Sequence, residues 1–170
     1  MRCIHLIDCK EQEDGLIAKL LEVNSASLQI YIIAKELPLI SNLSVIENIV
    51  LPASYHKNAR LKDYIEEALR YLEGFGLADK VHKRRDDLDE FEQMLVKYIS
   101  CKIVEVKNIV FMTPMKFIAP EKFEDFKRFL KNCDENYLII DYNKFYNEYN
   151  DIDKLNIMGF DEWLIHALKG

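Results

Sequence analysis

With 170 residues, 49% of them hydrophobic and 31% charged, the sequence has the size and balance of one globular domain. It holds no apolar run of the roughly 18 residues a membrane span needs, and its start, MRCIHLIDCKEQEDG, turns acidic after seven residues, so neither a membrane helix nor a signal peptide is expected, and a soluble, cytoplasmic protein is. The 23 basic and 29 acidic side chains leave a net charge of −6, which works against general binding of a phosphate backbone.

Residues 1–7 predict a short buried strand, and residues 15–23 (GLIAKLLEV) place Leu16, Ile17, Leu20 and Leu21 at helical spacing. Residues 27–34 (SLQIYIIA) are rich in β-branched and aromatic side chains and predict a second strand. Over residues 61–72 the stripe Ile65, Ala68, Leu69 and Leu72 predicts a helix that Gly74 and Gly76 stop. A longer helix follows from Phe91, Met94, Leu95, Tyr98, Ile99 and Ile103, opened by Asp89 and Glu92 as a capping box. Then come a strand at 108–112, a helix at 120–130 with Pro120 in its first turn, a strand at 137–140, a strand-like piece at 154–158 and an amphipathic C-terminal helix, DEWLIHALK. Strands alternating with helices give the α/β class, a mostly parallel sheet flanked by helices.

Titratable clusters are few. Cys3, Cys9, Cys101 and Cys133 form no CxxC pair, and His5, His56, His82 and His166 are scattered, so reduced thiols and no metal site are expected. Glu11, Glu13 and Asp14 read as solvated surface acids, with collection of a divalent cation as the alternative. The basic run His82-Lys83-Arg84-Arg85 runs straight into DDLDE and reads as a locally neutralised surface, with an anion site as the alternative. NKFYNEYNDID is either a variable surface loop or a recognition surface.

Two stretches carry a family resemblance. LPLISNLSVIENIVLPASYH (37–56) resembles the segment that follows the Q-loop in ATP-binding subunits of ABC transporters of the small lipid-transport, lipoprotein-release and cell-division type, and ALRYLEGFGLADKV (68–81) is similar to their helix ending in a "vGL" turn. Counting outward from these, Leu88 takes the place of the leucine of the family's LSGGQ signature, which reads LDEFE here, and Pro114 the place of the proline after the Walker B acids. The resemblance spans about residues 4–143 and implies a P-loop NTPase-like fold, an ABC ATPase core, with a helical subdomain at about 37–103 inside a single truncated domain spanning 1–170. It also implies loss of the antiparallel β subdomain that bears the adenine-stacking aromatic, because only seven residues precede Asp8 and only residues 23–33 are spent on the second connection.

The positions that would touch nucleotide all depart from the family. Asp8, Glu11 and Glu13 stand at the phosphate-loop glycines, Asp14 at the lysine and Gly15 at the magnesium-binding serine. Lys35 stands at the Q-loop glutamine, Asp89 in the signature, Met112 at the Walker B aspartate, Thr113 at the catalytic glutamate and Tyr142 at the switch histidine. A phosphate loop needs small residues so that backbone amides converge on the anion, with a lysine adding charge. Carboxylates there would repel a triphosphate, each pair of like charges costing on the order of 3–4 kcal/mol at a surface-like dielectric.

The resemblance therefore implies a non-hydrolysing pseudo-ATPase with no cofactor, not an active enzyme, whose remaining role is docking to, or regulation of, a membrane permease. Its partner surface would be Leu37, Pro38, Leu39, Ile40, Tyr55 and His56, with no nucleic acid and no direct membrane insertion. Attachment to the inner membrane face would then come only through the partner. The alternatives are a transporter subunit that retains nucleotide binding through displaced residues, Lys10 and Lys19 being the nearby cations, and a soluble regulator unrelated to transport. Core packing of Leu39, Leu43, Val45, Ile46, Ile49 and Leu51 in a small helical layer is the plain reading of the same residues.

Overall fold

Short apolar runs rich in Ile, Val and Leu cannot leave either face in water, and they become the inner strands of one parallel sheet. The computed structural model describes residues 1–24, 28–57 and 60–169. Its strands are β1 (Arg2–Ile7), β2 (Ile30–Ile33), β3 (Asn108–Met112), β4 (Asn136–Tyr142) and β5 (Asn156–Ile157), paired in the order β2-β3-β4-β1-β5 with every pairing parallel. The helices are α1 (Lys10–Val23), α2 (Val45–His56), α3 (Ile65–Gly74), α4 (Glu90–Val104), α5 (Pro114–Phe117), α6 (Phe123–Asn132) and α7 (Phe160–Lys169). The chain divides into two compact units, Met1–Glu36 with Lys107–Gly170, and Leu37–Val106.

The first unit holds the sheet. Strand alternation sends Tyr137, Ile139 and Asp141 to one face of β4 and Leu138, Ile140 and Tyr142 to the other. On the first face Phe111 of β3 meets Phe126 and Phe129 of α6 and Tyr137 edge-on, with ring centroids 5.9, 6.0 and 6.0 Å apart, and Arg2 of β1 donates to the carbonyls of Lys131 and Cys133 at the end of α6. On the opposite face His5 of β1 stacks obliquely on Phe160, and Asn108 donates to the Ala167 carbonyl, which fixes α7 there. The connections β1-α1-β2 and β3-α6-β4 cross the sheet in opposite directions, so right-handed crossovers put α1 and α6 on opposite faces as well. Register aligns Ile7 with Tyr142 and Met112 with Ile140, so β1, β3 and β4 end together.

The second unit is helical. Two capping boxes define it: Ser44 with Glu47 opens α2, and Asp89 with Glu92 opens α4. Ser100 of α4 donates to the Ile49 carbonyl of α2 at 2.9 Å, beside Pro52, whose missing amide interrupts the α2 ladder. Asn48 is buried and bridges four backbone groups, accepting from the Ile40 amide and donating to the carbonyls of Ile40, Leu43 and Ser44.

Several expectations change. α1 begins at Lys10 instead of 15, and β2 is shorter than 27–34, of which Ser27 lies outside the described residues. The helix expected over 61–72 is a 3-10 turn at Leu61–Asp63 followed by α3, and Pro120 opens a separate 3-10 turn, Pro120–Lys122, ahead of α6. Leu21, Ile65 and Leu69, placed on apolar stripes, are 47%, 39% and 40% exposed, because those helices bury narrower faces than the periodicity allows. The Asn- and Tyr-rich stretch is no free loop: Asn143–Tyr149 is a 3-10 segment, Tyr149 and Ile152 are buried, and Asp151 pairs with Lys127 and Lys131. None of the four cysteines is in a disulfide; Cys3, Cys101 and Cys133 are buried and Cys9 is exposed.

Candidate functional site

The common C-terminal edge of β1, β3 and β4 is where an open parallel sheet gathers functional groups. The chain leaves β1 through Asp8 and Cys9 alone and enters α1 at Lys10. Cys9, extended, is the N-cap and gives no side-chain cap, and the Asp8 amide donates to Gln12 Oε1 at 2.7 Å. Glu11, Glu13, Asp14 and Gly15 are therefore helical, and no loop spans Asp8 to Asp14 as the family resemblance implies. A Cβ on Gly15 would meet nothing within 4 Å, so no close approach there calls for glycine.

At the far side of this edge β3 ends at Met112, which is fully buried, and Thr113 follows in the left-handed region at φ 44° and ψ 49°. A β-branched residue there is strained by on the order of 1–3 kcal/mol. The conformation is held by the Thr113 amide donating to Ile140 at 2.7 Å and by Pro114 starting α5 directly after it. It aims the Thr113 hydroxyl at α1.

What it meets is Glu13, expected as a surface acid and found with 0% exposure. Its Oε1 accepts from Thr113 Oγ1 at 3.2 Å and pairs with Lys10 Nζ at 3.3 Å. Oε2 accepts from Tyr142 Oη at 2.7 Å and from Lys116 Nζ at 3.0 Å. A buried carboxylate survives only when so paired. Burial pushes the Glu13 carboxyl up, but hydrogen bonds from Tyr142, Lys116 and Lys10 outweigh it and hold the group below the usual range. Tyr142 answers in kind: its hydrogen bond to Glu13, with burial, pushes the phenol up to about 12.

On the other face of β4, as alternation requires, Asp141 is also fully buried. Its Oδ2 accepts from Tyr149 Oη at 2.6 Å and from the Met115 amide at 3.1 Å, and Oδ1 accepts from the Tyr142 amide at 2.8 Å. Burial raises the Asp141 carboxyl above its ordinary value, and these three donors only partly offset it.

Of the residues singled out in the sequence, the structure brings together Glu13, Thr113 and Tyr142. Asp14 is exposed and pairs with Lys10 at 3.0 Å, Lys35 is exposed, and Asp89 caps α4. Sequence reasoning missed Lys116, Asp141 and Tyr149. Asp141 had a signal, an acid inside the apolar run YLIID; Lys116 had none beyond following Pro114. Among the described residues, no three His, Cys, Asp or Glu side chains converge to hold a metal, and no helix is long and apolar enough to cross a membrane.

The crystal structure of the ADP conformation of MJ1267, an ATP-binding cassette of an ABC transporter, matches with a TM-score of 0.64 and 15% identity, covering 99% of this chain and 87% of that one. The fold is that of an ABC ATPase core. At this identity the likeness concerns the fold alone. No protein-family model matches the sequence, and no curated protein does. Within the ABC ATPase-like fold, the Glu13 cluster lies at the sheet edge where β1 passes into α1.

Proposed function

We propose that this protein is a non-hydrolysing relative of the ABC transporter ATPases that serves as a docking or regulatory subunit for a membrane permease. The observation that carries the reading is the two-residue connection, Asp8 and Cys9, between β1 and α1. So short a link has no run of amides to wrap a triphosphate, and the helix that follows turns the buried carboxylate of Glu13 toward this edge, with the exposed carboxylate of Asp14 sharing its Lys10. A nucleotide triphosphate with magnesium does not fit these residues. Met112 offers no metal ligand, Thr113 no base, and Asp89 gives its carboxylate to its own helix.

Asp14, Gly15, Lys35, Asp89, Met112, Thr113 and Tyr142 are then remnants of a site in position only. The docking role falls to the helical part at about 37–103, where Pro38, Ile40, Tyr55 and His56 are exposed, Ile40 by 46% and Tyr55 by 78%. Leu39, at 8% exposure, anchors that surface from within, and Leu37 is half-buried. Attachment to the inner membrane face would come through the permease.

Purified protein heated with millimolar Mg-ATP tests the reading. A nucleotide at 100 times its dissociation constant would add about 2.7 kcal/mol of stability. No shift and no phosphate release are expected, whereas turnover or micromolar binding would end the proposal. Retention of an integral membrane protein from native membranes tests the docking half, and a soluble regulator would retain none.

A further inference from the structure

Four donors from three elements converge on one carboxylate: Lys10 from α1, Thr113 and Lys116 around α5, and Tyr142 at the end of β4, two on each oxygen of Glu13. A side chain needing only solubility would not be fully buried, and one needing only an ion pair would not take two hydroxyls as well. Thr113 keeps a strained left-handed backbone while presenting its hydroxyl. We propose that this cluster is an oxyanion-binding site that the protein fills with its own Glu13 carboxylate, a built-in ligand in place of a bound one. The geometry alone carries this, whatever partner the chain docks on.

The chemistry required of an occupant is narrow. It must present two oxygens on one centre and carry negative charge, as a carboxylate or a phosphate does. Lys116 supplies the dedicated cation, because Lys10 also serves Asp14 at 3.0 Å and Glu36 at 3.6 Å. Glu13 is tethered to α1 and therefore outcompetes free anions, since the effective concentration of a tethered group far exceeds that of solutes. The wild-type site is accordingly closed to inorganic anions, and shortening Glu13 opens it.

The test compares the full-length wild type, Glu13→Ala, and Glu13→Ala combined with Lys116→Met, titrated with inorganic phosphate against chloride of equal ionic strength and read by calorimetry and thermal unfolding. Phosphate is expected to bind Glu13→Ala at least about tenfold more tightly than the wild type, equivalent to about 1.4 kcal/mol, and Lys116→Met should remove the gain. If Glu13→Ala is unfolded without phosphate, refolding as phosphate is added supports the assignment, and failure to refold at saturating phosphate overturns it. A folded Glu13→Ala that takes phosphate no better than the wild type also overturns it, as does a gain that survives Lys116→Met. Neither negative result bears on permease docking, which is read by membrane retention.

Discussion

Glu13 and Asp141 are both fully buried carboxylates near one sheet edge, yet their surroundings move them in opposite directions. Glu13, held below its ordinary value by Tyr142, Lys116 and Lys10, gives its stabilisation in full above the unfolded-state pKa of about 4.3 and loses it as pH falls through the lower folded value. Glu13→Gln should therefore flatten the acid limb of stability against pH, measured by urea unfolding between neutral pH and the acid transition; an unchanged slope would mean the carboxylate is not ionised in the fold. Asp141 runs the other way, since burial raises it. Its contribution is full below about 3.9 and declines as pH rises through the raised folded value. Replacing it by Asn removes that decline but turns an amide donor either toward the Tyr142 amide or toward the Met115 amide and Tyr149 hydroxyl, so Asp141→Asn should cost about 1–3 kcal/mol at pH 7 by urea unfolding.

At the scale of elements, what the sequence displayed was whatever rests on local chemistry. The Asp89-to-Glu92 box is written in the chain, and the strand at 108–112 appears with its expected ends because the polar Asn108 opens an unbroken apolar run, IVFM, that is buried throughout. Ser44-Val45-Ile46-Glu47 carries the same box, masked by Pro52, which argues against a helix there until Ser100 and α4 support it. The first turn of α1 was hidden for a different reason. KEQED shows no apolar face, and only a contact 100 residues away reveals that Glu13 points inward. Loss of a cap has a known size, so Ser44→Ala and Asp89→Ala should each lower stability by about 1 kcal/mol in denaturant titrations. At Thr113, Ala and Gly both lose the hydroxyl while only Gly tolerates the left-handed backbone; Thr113→Gly should exceed Thr113→Ala in stability by about 1 kcal/mol, and the reverse order would mean that φ 44° carries no strain.

For the molecule as a whole, the parallel character of the sheet follows from alternating strands and helices, but its order does not, because the pairing of β1 with β4 and β5 joins residues far apart in sequence and is not readable from periodicity. The family-like phrases at 37–56 and 68–81 both fall in the unit Leu37–Val106, whereas Asp14, Gly15, Met112, Thr113 and Tyr142 belong to the other unit. On the proposed reading, in which the helical unit docks and the other unit carries no nucleotide chemistry, the effects of mutation should divide along the same line. Tyr55→Glu and Ile40→Asp alter side chains exposed by 78% and 46%, so each should leave unfolding within about 0.5 kcal/mol of wild type while abolishing retention of a membrane partner. Glu13→Ala should do the converse, lowering stability by about 2–3 kcal/mol through the lost charge-assisted hydrogen bonds while sparing retention. The discriminating measurement is retention scored beside stability for all three variants: if Glu13→Ala loses the partner while still folded, or Tyr55→Glu and Ile40→Asp both keep it, the exposed residues of the helical unit are not the docking surface.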